Sequence, residues 1–175
     1  MLGIKLYKNN ADDMVRYTDV AIACNEVGNL TIEEHEDYYK VVAIPEPSLE
    51  ELKTAKLQEV NAWTSKKITG GFISNASGEP VRYDSDTDTQ TTMQGIALNV
   101  NSERFAVNYP HGCPVRGYAE GETEKTVQYL TAEGVLMFCA DLSEHIGKCK
   151  LDGWTMQNAV NEASTKEELE AIILD

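Results

Sequence analysis

A heptad seam toward the C-terminus constrains this chain more than any other feature. After Thr131, whose hydroxyl suits a helix N-cap, steps of alternately three and four residues pick out an apolar series. It runs Ala132, Val135, Cys139, Leu142, Ile146, Cys149, Gly153, Met156, Val160 and Ala163, with no charged or strongly polar member. Sustained over about four repeats, that spacing predicts one long helix with a continuous apolar edge, as in a coiled coil or a long bundle helix. Unbroken, it would be a rod of about 48 Å. Gly147 and Gly153 each lower helix propensity by up to about 1 kcal/mol, so residues 150–153 are where such a helix could kink. The seam mixes Cys, Gly and Ala with larger residues and so selects no oligomer number.

Further upstream, Pro45-Glu46-Pro47 removes two backbone donors and fixes φ twice, so neither helix nor strand can run through. The chain is therefore expected to divide into a small module (1–44), a proline hinge (45–48) and a larger domain (49–175). Strand-like runs at 4–7, 20–23 and 39–44, separated by Lys8-Asn9-Asn10 and Val27-Gly28-Asn29, predict a β-rich module. Thr31 and Glu34 have capping-box spacing for a helix of only a few residues before strand propensity returns.

Beyond the hinge, Ser48 and Glu51 form a capping box for a helix over 49–67, with Leu49, Leu52, Val60 and Trp63 on one side. Strands at 72–74 and 81–83 flank a turn-rich loop, and Thr87 with Gln90 opens a helix over 87–101. Short strands are expected at 105–109, 115–118 and 127–130. Ser164 with Glu167 starts a final short helix whose Leu169, Ile172 and Ile173 can dock on the body. The fold class is α+β: a β-rich N-terminal module, a hinge, and a mainly helical domain with a short sheet or hairpin and the long heptad-patterned helix.

Charge narrows the functions. With 29 Asp and Glu against 15 Lys and Arg, the formal charge of -14 repels nucleic acid and an anionic membrane alike. No apolar run approaches the roughly 18 residues of a membrane span, and Met1-Leu2-Gly3-Ile4-Lys5 lacks the form of a signal peptide. Synthesis in a cytoplasm is expected. Cys24, Cys113, Cys139 and Cys149 are scattered without close pairs, which suits reduced thiols.

Reactive constellations are weak. Asp84-x-Asp86-x-Asp88 imitates the opening of a calcium loop, but Thr89 and Gly95 stand where that loop needs glycine and a bidentate acid, so a helix-start cap is the better reading. His145 and Cys149 are one helical turn apart, and His111 with Cys113 could complete four zinc ligands, yet the paired short spacings of zinc sites are missing. Cys149 reads as a core residue on the seam and His145 as its solvent-edge neighbour. A Cys113 nucleophile would need an electropositive setting that this acidic, proline-rich loop does not offer. No phosphate-cradling glycine loop, Gly-x-Ser-x-Gly elbow or His-Glu-x-x-His helix occurs. No catalytic residue, cofactor or metal is therefore expected. Candidate contact residues are Tyr38, Tyr39 and Trp154, of types enriched at interface hot spots, and Leu142, Ile146 and Met156 on the seam. Trp154 lies off the seam and either widens the core face or meets a partner.

Residues from Leu49 to Leu174 also carry a resemblance. It rests on Thr64-Ser65-Lys66-Lys67-Ile68, Gly70-Gly71-Phe72-Ile73, Tyr83-Asp84-Ser85-Asp86 and Gln90-Thr91-Thr92-Met93-Gln94-Gly95. It continues through Leu130-Thr131-Ala132-Glu133, His145-Ile146 and Ala163-Ser164-Thr165-Lys166-Glu167-Glu168-Leu169. This order resembles an uncharacterised domain found at the C-terminal end of phage tail-fibre, tail-fibre-assembly and prophage proteins. Where that family usually has a tryptophan-containing strand, this chain has Val127-Gln128-Tyr129. The resemblance implies a structural component of a phage tail, at its tip, baseplate or fibre attachment region, located in the virion and acting through protein–protein contacts rather than as an enzyme. Tail or tail-fibre proteins and further copies of the chain are the expected partners. A tail-fibre assembly chaperone, absent from the mature particle, is the alternative.

Overall fold

The computed structural model describes residues 1–175. The chain is α+β and divides into two compact units, Met1–Ser48 and Leu49–Asp175.

In the first unit the order is β1 (Lys5–Tyr7), α1 (Ala11–Val27), β2 (Leu30–Glu34) and β3 (Tyr38–Ala43). The sheet is antiparallel with β3 central, placing Leu6 opposite Tyr39 and Ile32 opposite Val41. Leu6 and Val41 bury against Val20 and Cys24 of α1. Residues 20–23, expected as a strand, are thus helical, and the reason is local. The Asn10 side chain accepts from the Asp12 and Asp13 amides, both acids sit at the positive end of the helix, and Gly28 closes it at φ 77°. Those terminal interactions outweigh the strand preference of Val20 and Ile22. Thr31 and Glu34 cap nothing; both pair with β3.

The second unit runs α2 (Leu49–Thr69), β4 (Phe72–Ser74), β5 (Val81–Tyr83), α3 (Thr87–Ala97), α4 (Glu103–Asn108), β6 (Cys113–Ala119), β7 (Thr126–Leu130), α5 (Ala132–Glu162) and α6 (Lys166–Glu170). Its four strands form an antiparallel sheet in chain order. Asp86, not Thr87, caps α3. That helix stops at Ala97, and residues 105–109, expected as a strand, begin within a short helix because the Ser102 hydroxyl accepts from the Phe105 amide. Thr165 rather than Ser164 caps α6.

Helix α5 is continuous over 31 residues, about 46 Å at 1.5 Å per residue. The helix runs through Gly147 and Gly153 without interruption. A Cβ on Gly153 would overlap the Thr64 side chain, so this glycine serves the close crossing of α2 and α5. Val135, Phe138 and Leu142 pack on Phe72, Tyr83, Leu130 and Met93, forming the larger core. Farther along, Val160 and Ala163 join Val60 of α2 and Leu169 of α6 in a second cluster, with Ile172 packed against it. Ile173 instead points to solvent. The heptad seam is thereby covered by the chain's own sheet and helices, and that edge of α5 has no coiled-coil face left to offer.

Candidate functional site

The segments that carry the family resemblance meet at the C-terminal end of α2, where a helix leaves carbonyls without intrahelical donors. His145 Nε2, from the middle of α5, lies 3.1 Å from the Lys67 carbonyl oxygen and 3.2 Å from that of Ile68. Ser85, fully buried, donates its hydroxyl to the Ile68 carbonyl and accepts from the Gly71 amide at 2.9 Å. Gln90 Nε2 in turn donates to the Ser85 carbonyl at 2.7 Å. Five separate motif segments are thus joined in one polar knot. Such a network fixes the arrangement of elements.

His145 is half-buried at the edge of the core beside Cys149, on the wall of an open groove. Its ring also stacks near Phe72, with centroids 6.0 Å apart. Cys149 Sγ is almost equidistant from both ring nitrogens, at 3.9 and 3.8 Å, so it lies beside the ring rather than on the axis of one nitrogen. Burial pushes the Cys149 thiol up, as it does those of Cys113 and Cys139. This is the opposite of what an activated nucleophile requires.

Cys113 belongs to the core beneath the sheet, and no group of three or more His, Cys, Asp or Glu side chains is gathered where it could hold a metal ion. The acidic triplet is dispersed. Asp84 pairs with Lys125 at 2.6 Å, Asp86 accepts from the Thr89 amide and hydroxyl at 2.9 and 3.0 Å, and Asp88 occupies the first turn of α3.

Between the free edge of β4 and α5 runs an open groove of about 630 Å³ with Arg82, Asp141, Glu144 and Lys148 on its walls. Arg82 is committed to the Gly70 carbonyl at 2.7 Å, and β4 is only 3 residues long, which limits strand addition from outside. The groove offers polar contact of mixed sign.

The outer face of α5 is different. Trp154 is 57% exposed, Leu151 60% and Leu136 46%, and the smaller Ala140, Ser143 and Gly147 between them are exposed as well. At about 100° per residue these positions share one side of the helix, opposite the seam. Of the residues expected to form an interface, Trp154 lies on this face. Leu142, at 2% exposure, is inside the core and has no surface to present, while Ile146 and Met156 are half-buried against the two clusters. Tyr38 stacks on His35 at 4.5 Å with the Lys5 ammonium over its ring, and Tyr39 packs on Tyr17 at 4.6 Å with Lys8 over it, so both tyrosines are half-buried in the first unit. Leu136 and Leu151 were not among the expected contact residues. Their helical phase with Trp154 was the available signal.

No helix is long and apolar enough to cross a membrane. Compared with family models, residues 51–173 match the Domain of unknown function (DUF4376). Neither the curated proteins nor the solved structures contain a match.

Proposed function

We propose, from the premise that this chain belongs to the DUF4376 family through residues 51–173, that it is a structural component of a phage tail acting through protein–protein contacts. Its place would be the tip, the baseplate or the fibre attachment region. The phage association comes from the resemblance of the motif segments described above. The observation that carries the contact reading is how the second unit spends its residues. Motif residues His145, Ser85 and Gln90 have their polar atoms bonded in the knot at the end of α2, whereas the exposed Leu136, Leu151 and Trp154 line up on the outside of α5. Clustered exposed apolar groups on an otherwise charged surface mark a place where another protein docks.

Composition of purified particles tests this reading. A structural component is present in a fixed ratio to the other tail proteins. The second reading, a tail-fibre assembly chaperone, is favoured by the same exposed face. It requires the chain to be missing from mature particles and fibre trimers to fail when its gene is deleted.

A further inference from the structure

The outer face of α5 reads nearly the same in both directions. Turning the helix end for end about His145 exchanges Leu136 with Trp154 and Ser143 with Gly147, and lays Ala140 within one residue of Leu151. Large residues therefore occupy both ends of the stripe and small ones its centre, where two helix axes could approach to about 8 Å. A surface that matches its own reverse is what an isologous two-fold contact needs.

Charge selects the same arrangement. Glu144 and Lys148 share one flank of the stripe, are exposed, and take part in no salt bridge within the chain. In an antiparallel pair the same flank of each helix faces its counterpart, so Glu144 of each copy meets Lys148 of the other, twice by symmetry. A parallel pair in register would instead put Trp154 against Trp154 and set the Glu144–Lys148 flank against the opposite flank of the other copy, so that this charge pairing is lost. The chain as a whole carries -14, which opposes self-association, but between Leu136 and Trp154 the charged side chains on this side are Glu144, Lys148 and Lys150, with Glu133 and Glu162 lying beyond its two ends.

We infer that two copies of this chain pair antiparallel through the outer face of α5, with Leu136 against Trp154, Ala140 against Leu151, and Glu144 against Lys148. This goes beyond the tail reading and does not depend on it.

Sedimentation equilibrium of the full chain over a concentration series up to about 200 µM, a range that captures small, weak interfaces, tests the inference. The expected mass rises to twice 19.4 kDa. Leu151→Glu should raise the dissociation constant by about a hundredfold or more. Glu144→Lys should raise it by about tenfold, and the double variant Glu144→Lys, Lys148→Glu should return it to within about threefold of the starting value, because the swapped partners face each other again. Circular dichroism confirms that each variant is folded. If Leu151→Glu fails to fold, the charge-swap series decides alone. A chain that stays monomeric throughout overturns the inference. So does a dimer that tolerates Leu151→Glu or is not rescued by the double swap. A monomer in solution leaves particle composition free to support or refute the tail reading separately.

Discussion

Across 78 residues of sequence, the His145 ring nitrogen reaches the Lys67 carbonyl at 3.1 Å and ties the middle of α5 to the last turn of α2. The same nitrogen lies 3.2 Å from the Ile68 carbonyl. Replacing the ring leaves half-buried carbonyls short of a donor, so His145→Ala should cost about 1–3 kcal/mol. Urea denaturation followed by circular dichroism measures it. An unchanged midpoint would show that the knot contributes nothing to stability.

Ser85 serves the same carbonyl from the other side. Ser85→Ala strands the Gly71 amide and removes a donor from Ile68, for a loss of about 1–3 kcal/mol. Because Ser85 and His145 share the Ile68 carbonyl, the double variant should deviate from additivity by about 0.5 kcal/mol or more. A double-mutant cycle in urea reads that coupling directly.

The crossing of α2 and α5 depends on a missing side chain. A Cβ on Gly153 would collide with the Thr64 Oγ1 and Cγ2, so Gly153→Ala should destabilise by about 1–3 kcal/mol. Thr64→Ala in the same chain makes room, and thermal denaturation should show the pair losing less than the sum of the two single changes.

Aspartate at the start of α3 supplies an acid-sensitive contribution. The Thr89 amide and hydroxyl, both donating to Asp86, hold its carboxyl below the ordinary value of 3.8. A depressed folded pKa means stability that is present above the unfolded pKa and lost as pH falls through the folded one. Asp86→Ala should therefore cost about 1 kcal/mol at pH 7, with the gap to the parent closing below pH 3.8. Asp86→Asn keeps a capping oxygen without the titration. Urea midpoints taken across that pH range separate the two variants.

Thiol chemistry offers a further check. Burial raises the thiols of Cys113, Cys139 and Cys149, so a thiol-reactive chromophore should label these three slowly in the native protein and rapidly once it is denatured. Fast native labelling of Cys149 would revive a reactive role for the pair it forms with His145.

Much of the second unit was legible because its signals are long or doubled. The seam of α5 and the prolines before α2 announce their elements, and β6 and β7 stand between evident turns. Helix α1 was not, because its apolar residues do not share one face: Val20 and Cys24 are buried while Val15, Ile22 and Val27 are exposed. Only its ends, Asn10 and Gly28, marked it as a helix. Helix α4 hid for a related reason, being 6 residues long and defined by a single cap. At the candidate site, Trp154 stood out as an aromatic residue off the seam. Leu142 did not reveal its role, since periodicity identifies an apolar edge without saying what covers it. Here the covering comes from Tyr83, Phe72 and Met93, residues brought together only by the tertiary fold.

The proposed tail role puts the outer face of α5 at the contact with the particle. Under that role the gene lies in a phage genome, where Leu151 and Trp154 can be replaced together by glutamate and the copies of the chain per purified particle counted by quantitative mass spectrometry. The predicted result is a chain that accumulates folded in the infected cell and is missing from particles. Incorporation at the parental level would contradict it.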